Sequence, residues 1–223
     1  QVGLETVPFD LFNQLCTTYP DAFVYLMSSP LFGAWIGASP EILINSNGSS
    51  AETMSLAGTL KIESNETWKN KEFEEQNHVT TYIESLLQVS KVENLVISGQ
   101  QEINAGPVRH LRTSFQFDLG AKSAIDIAEK LHPTPAVSGL PQKEAIELIE
   151  QIEQHDRKIY AGMIGFIDKN STHLYVNLRC AEIIDNHAYL YLGGGFTKDS
   201  VVMDEWNETE NKAKTLLNVM KKQ

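Results

Sequence analysis

Apolar residues recur along this chain at two periods, every three to four residues in some stretches and every second residue in others, and the alternation between them marks helices and strands. Phe9, Phe12, Leu15 and Cys16 predict a helix over residues 8–18, ended by Tyr19-Pro20-Asp21. Residues 22–27, 32–37 and 41–44 read as an antiparallel meander of short strands, and 45–50 as a polar turn. In the strand-like run 53–60, Gly58 permits close approach to the main chain, as a ligand-facing kink requires. The helical period returns over 67–89, with Val79, Tyr82, Ile83, Leu86 and Leu87 on the buried stripe. Residues 94–98 and 108–118 read as strands, and 124–131 as a helix. His132-Pro133-Thr134-Pro135 stops that helix, because proline disfavours helical backbone in the residue before it. Residues 136–140 form a small-residue loop, and Pro141 opens a helix through Ala145, Ile146, Ile149 and Ile152. The run 155–168 leads from a turn into a strand, 174–184 and 188–192 follow as strands, and Gly193-Gly194-Gly195 ends the last.

The closing helix, 204–222, concentrates candidate chemistry. Trp206, Ala213, Leu216, Leu217 and Met220 share one stripe, with Asn207, Asn211, Asn218 and Lys222 roughly opposite. Glu205, Glu208 and Lys212 fall in a third sector bordering the apolar stripe, a face able to hold a cation and an anionic ligand together. The plainer alternative is that acids suit a helix's first turn and Asp204 is its N-cap. On the 67–89 helix, stepping back from Val79 reaches Glu75, Glu72 and Trp68, so two carboxylates point inward. A buried acid is costly unless paired, protonated or metal-bound; otherwise these turns project into water.

Composition narrows the partners. A chain of 223 residues with 42% hydrophobic content can bury a large core, and no repeat, low-complexity tract or linker divides it, so 1–223 reads as undivided. Eighteen basic against 29 acidic residues leave a net charge of −11, which disfavours nucleic acid and anionic membranes; any anion must be caught locally. Cys16 and Cys180 read as buried thiols of a reducing compartment. With no run of 18 uncharged apolar residues and no basic-then-apolar leader, a cytoplasmic protein is expected, and a monomer.

Several familiar motifs fail. Residues 193–198 lack the last glycine of a dinucleotide fingerprint, and no phosphate-loop lysine, Gly-x-Ser-x-Gly elbow or His-Glu-x-x-His occurs. Arg179, embedded in an apolar run, needs an anion, a carbonyl cluster or a plain salt bridge. His110 in its strand is a structural residue or a pocket residue, and the glycine run an anion-binding turn or a plain one. The available oxygen donors, Glu72, Glu75, Glu205 and Glu208, suit a hard cation, magnesium first.

Eight blocks then stand in one order: Gly37-Ala38-Ser39-Pro40-Glu41; Leu56-Ala57-Gly58-Thr59; His110-Leu111-Arg112-Thr113; Leu131 through Gly139; Arg157 with Tyr160-Ala161-Gly162; Leu178-Arg179; the glycine run; and Glu205-Trp206-x-Glu208-Thr209-x-x-Lys212. This order resembles the chorismate-utilising enzymes, most of all the isochorismate synthases, over essentially the whole chain. The resemblance implies an α+β fold, a large sandwich of two mostly antiparallel sheets with helices outside. It implies magnesium-dependent isomerisation of chorismate to isochorismate in menaquinone or siderophore biosynthesis. By the same resemblance Glu41 is the general acid that protonates the departing ring hydroxyl. Glu75 and Glu205 would bind magnesium directly, Glu72 and Glu208 directly or through water. The ring carboxylate would lie on the metal and near Lys212, helped by main-chain N–H groups around Gly58, Thr59 and Gly193. Tyr160, Arg179 and the Gly195 backbone would hold the enolpyruvyl carboxylate, and His110 and Thr134 would line the pocket.

Departures from the family pattern are informative. The lysine that activates water, on a Lys-x-x-x-Ser-Arg strand, has no counterpart here, so the chain reads as the C-terminal part of a longer protein, expected to bind better than it catalyses. Gln76 stands where histidine is common beside the metal glutamate, and Gly194-Gly195-Phe196 where Ala-Gly-Ile is usual. Ala57 argues against aminodeoxychorismate synthases and the His-Pro-Thr-Pro-Ala block against anthranilate synthases. These residues do not separate the chain from the salicylate synthases, which stand as the alternative, together with a chorismate-binding chain without catalysis.

Overall fold

The structure is a computed structural model and describes residues 1–63, 65, 67–105 and 108–220. In chain order the elements are β1 (Val2–Gly3), α1 (Pro8–Thr18), β2 (Phe23–Ser29), β3 (Gly33–Ser39), β4 (Ile42–Asn47), β5 (Ser50–Lys61), α2 (Asn70–Val89), β6 (Glu93–Ile97), β7 (Gln101–Ala105) and β8 (Val108–Asp118). There follow α3 (Ala124–Leu131), α4 (Pro135–Ser138), α5 (Gln142–Ile152), β9 (Met163–Ile167), β10 (Ser171–Val176), β11 (Cys180–Ile184), β12 (His187–Tyr191) and α6 (Val202–Met220). They form two compact units, each built on one antiparallel sheet with helices.

The first unit comprises Gln1–Pro40, Arg157–Ala161 and the chain from Asn177 onward. Its five strands lie in the order β1-β12-β11-β3-β2. Helices α1 and α6 pack on this sheet and on each other, burying Leu11, Leu15, Ile36, Ala38, Ala181, Leu216 and Met220. Each large aliphatic side chain so withdrawn from water contributes about 1.5–3 kcal/mol. Cys16 is exposed, contrary to expectation, because the buried ridge of α1 is Leu11 and Leu15 and the next residue turns away from it. On α6 the inward residues are Glu205, Ala213, Thr215, Leu216, Val219 and Met220, whereas Trp206 is 60% exposed and Leu217 half-buried. The apolar stripe is thus rotated from the expected one, and Glu205 lies within it instead of at its rim. The helix starts at Val202, so Asp204 falls in its first turn and is not the cap; Lys222 lies outside the described residues.

The second unit, Glu41–Asp156 with Gly162–Val176, carries seven strands in the order β6-β8-β5-β4-β10-β9, with β7 also on β8. The long β8 pairs along one side with β5 and along the other with two short strands, β6 near Phe115–Asp118 and β7 near Val108–Arg112. Helix α2 packs on β5 and β8, and α3 on β4 and β10. The expected polar turn at 45–50 shrinks to Gly48-Ser49, because Asn45 pairs across strands with Glu52, their side chains bonding at 2.9 Å. The loop expected at 136–140 is largely taken up by the single turn α4, in which the Val137 and Ser138 amides donate to the Thr134 carbonyl. The single strand expected over 174–184 is two, β10 and β11, in different sheets; Arg179, at φ +49°, breaks the extended run between them.

Candidate active site

In the second unit, four of the expected site residues meet at a break in β5. The β5–β8 register shifts between Ala57 and Leu60, which bulges Gly58 and Thr59 out of the ladder. Gly58 has φ +66°, and a β-carbon on it would stand 2.7 Å from Trp68 Cζ3 and 3.3 Å from Glu72 Cγ. Only glycine fits this backbone and this gap. His110, buried on β8, donates from Nδ1 to the Gly58 carbonyl at 2.6 Å, with Thr59 Oγ1 at 3.4 Å. A carbonyl only accepts, so Nδ1 carries the proton. Trp68 is held in turn by Glu102, which accepts from its Nε1 at 2.7 Å, and by Arg109 over its ring.

The inward ridge of α2 is Gln76, Val79, Ile83 and Leu87. Glu72 and Glu75 precede Gln76 and Val79 by one turn and are half-buried, between the inward and the wet positions that their spacing allowed. Glu72 accepts from the Lys69 amide at 2.8 Å and so caps the helix. Gln76 donates to the Ser55 carbonyl and hydroxyl at 3.2 and 2.8 Å and lies 3.3 Å from Thr113 Oγ1, tying this turn to β5 and β8. Elsewhere in the unit, Glu41 enters β4 2% exposed, its carbonyl accepting from the Val176 amide. Thr134 is buried at the start of α4, with no hydrogen-bond partner for Oγ1 among the described residues.

In the first unit, α6 and the glycine run converge. Lys212 donates from Nζ to the Gly193 carbonyl at 3.0 Å and pairs with Glu208 at 2.8 Å. Glu205 is 2% exposed; a β-carbon on Gly194 would stand 3.6 Å from its Oε2. Tyr160 Oη lies 2.9 Å from where a β-carbon on Gly193 would be, so the phenol, the glycine run, the ammonium and two carboxylates share one neighbourhood. The Tyr160 ring packs at a tilt of 37° against Tyr191, 5.9 Å between centroids, and Arg157 lies over it. Gly195 is half-buried beyond Gly194, and Arg179, in the short link that leads into β11, is buried.

A family profile described as chorismate binding enzyme matches residues 2–221. The chain belongs to the chorismate-binding enzymes. It is 32% identical over 199 residues to isochorismate synthase EntC of Escherichia coli K12, covering 84% of this chain and 51% of that protein. It is 33% identical over 198 residues to isochorismate synthase MenF of Bacillus subtilis, covering 83% of this chain and 42% of that one. Among solved structures, the menaquinone-specific isochorismate synthase MenF of Escherichia coli superposes with a TM-score of 0.85 at 26% identity, over 99% of this chain and 53% of that chain. The chain thus spans about half the length of the relatives it matches.

As a chorismate-binding enzyme, the chain places acids suited to a hard cation on α2 and α6, a pair on each. Carboxylate oxygens are the donors magnesium selects, and the withdrawal of Glu205 from water raises the return on binding a cation there. Among the described residues, no three histidine, cysteine, aspartate or glutamate side chains are already gathered into a metal site. The family blocks did not single out Asn177, Tyr25, Lys158 or Glu182, all of which brace the segment that carries Tyr160. The one signal for them was a polar residue, Asn177, set in the otherwise mostly apolar run from Leu174 to Ala181.

Proposed function

We propose that the protein isomerises chorismate to isochorismate with magnesium, as a cytoplasmic monomer supplying menaquinone or siderophore biosynthesis. The carrying observation is the convergence of Tyr160, Lys212, Glu205, Glu208 and Gly193, a cation-and-anion neighbourhood suited to a carboxylated ring. The named activity of the relatives of similar sequence supports the same reading. No helix among the described residues is long and apolar enough to cross a membrane.

Water adds at ring C2, its released proton passing to the lysine that the family pattern supplies on a strand absent from this sequence, the C4 hydroxyl leaves as water and the ring double bonds shift, so substrate and product are isomers. Glu41 gives its proton to the departing C4 oxygen, a role for which a nearly buried carboxyl is suited. Arg179 and Tyr160 hold the enolpyruvyl carboxylate with the Gly195 backbone, and His110 and Thr134 shape the pocket. Lys212 and the main chain at Gly58, Thr59 and Gly193 receive the ring carboxylate. Glu75 and Glu205 would hold magnesium directly, with Glu72 and Glu208 supporting, and the ion when bound neutralises that carboxylate.

Calorimetric titration with chorismate tests the binding half of this reading. Chorismate should bind the unaltered protein at least about tenfold more tightly with magnesium than with a chelator, and Glu75→Gln and Glu205→Gln should each abolish the difference. Magnesium-independent binding, or an unchanged magnesium effect in both variants, contradicts it.

A further inference from the structure

The segment Arg157–Ala161 belongs to the first unit although the chain on either side of it belongs to the second, and it carries Tyr160. It must therefore be tied to that unit by contacts other than strand pairing. Asn177, 1% exposed, makes three of them or their supports. Its Nδ2 donates to the Ile159 carbonyl at 2.9 Å, its main-chain oxygen accepts from the Ala161 amide at 2.9 Å, and its Oδ1 accepts from Tyr25 Oη at 2.8 Å. A carbonyl cannot donate, so the Ile159 contact fixes which end of the amide faces the segment. Tyr25 completes the support from β2, its ring lying across Gly37, where a β-carbon would come within 2.5 Å of Cε1. Lys158 adds a second tie, 2.6 Å from both Glu182 oxygens on β11.

The backbone gives an independent sign that these ties are needed. Lys158, Ala161 and Arg179 have φ of +51°, +62° and +49°. Non-glycine residues persist in this region only where their surroundings over-determine them. Asn177 stands between the stretches concerned: it grips 159–161 and lies two residues before Arg179.

We infer that Asn177 is a positioning residue for substrate, setting the Tyr160 phenol relative to the Arg179 guanidinium so that both meet one carboxylate. The inference rests on the assignment of those two residues to the enolpyruvyl carboxylate. A carboxylate held equally in the ground and transition states contributes to KM more than to kcat, which gives the role a kinetic signature.

The experiment compares Asn177→Ala and the near-isosteric Tyr25→Phe with the unaltered protein, each extended upstream through a strand bearing the family's water-activating lysine, by hydrogen exchange and by steady-state kinetics with chorismate and magnesium. Exchange should accelerate in 157–161 and not across α1 or α6. KM should rise about tenfold in Asn177→Ala and less in Tyr25→Phe, with kcat within about twofold. In a Tyr160→Phe background Asn177→Ala should add less than about twofold to KM. Unchanged exchange at 157–161 in both variants overturns the clamp. Accelerated exchange with unchanged KM, or a full additional KM effect in the Tyr160→Phe background, overturns the positioning role. If Asn177→Ala does not fold, Tyr25→Phe decides by the same criteria. If the unaltered protein neither binds nor converts chorismate, the functional reading fails, the positioning role falls with it, and exchange alone still decides the clamp.

Discussion

His110 Nδ1 stands 2.6 Å from the main-chain oxygen of Gly58, so a side chain on β8 fastens the bulge in β5 at the residue that a glycine alone can occupy. Two independent restraints act there: the left-handed backbone of Gly58, and the Trp68 ring pinned above it by Glu102 and Arg109.

Gly58→Ala should consequently combine backbone strain with a steric clash that Trp68 cannot relieve by rotating. We expect a loss of about 2–4 kcal/mol, seen in calorimetry as a fall in Tm on the order of 5–15 °C. Chorismate affinity should fall with it, since the bulge main chain is assigned to the ring carboxylate. A variant with unchanged Tm and affinity contradicts this account of Gly58.

Burial holds His132 below its usual value of 6.5. The unfolded chain therefore binds the proton more readily, and the stability contributed by a neutral His132 is complete above about pH 6.5 and is lost as pH falls below it. The Tm difference between the unaltered protein and His132→Asn should be constant from pH 8 to 7 and should shrink progressively below about 6.5. A difference that stays constant on acidification to pH 5 contradicts the assignment.

The two cysteines should separate chemically. Burial pushes the Cys180 thiol up to about 12, whereas Cys16 is exposed. Iodoacetamide at pH 8 should alkylate one thiol per native chain, at Cys16 by peptide mapping, and both after denaturation. Rapid modification of Cys180 in the native protein contradicts its placement.

Much of this fold could be read from periodicity. The helices α1, α2, α3 and α6 and the long strands carry enough apolar residues for their period to show, and Gly58 marks the β5 bulge. Short or polar elements could not be read so: β1 has two residues, and in β7 Gln101, Glu102 and Asn104 are exposed polar residues that show no apolar period. The departure at Trp206 has a geometric origin. Residues eleven apart share a face of a straight helix, which sets Glu205 over the fully buried Leu216 and Trp206 over the half-buried Leu217. A stripe assigned by hydrophobicity alone took the tryptophan and left the carboxylate at its edge. The motif blocks located the candidate residues, but Asn177 and its partners were invisible to them, because their role comes from contacts between segments far apart in the chain.

The central claim is most directly tested by product analysis. The protein, extended upstream through a strand bearing the family's water-activating lysine, is incubated with chorismate and magnesium, and the mixture is followed by proton NMR. Isochorismate should accumulate to an equilibrium with chorismate, cease on chelation of the metal, and be absent with Glu41→Gln. Salicylate with pyruvate as the sole products, or no conversion of chorismate at all, would contradict the account.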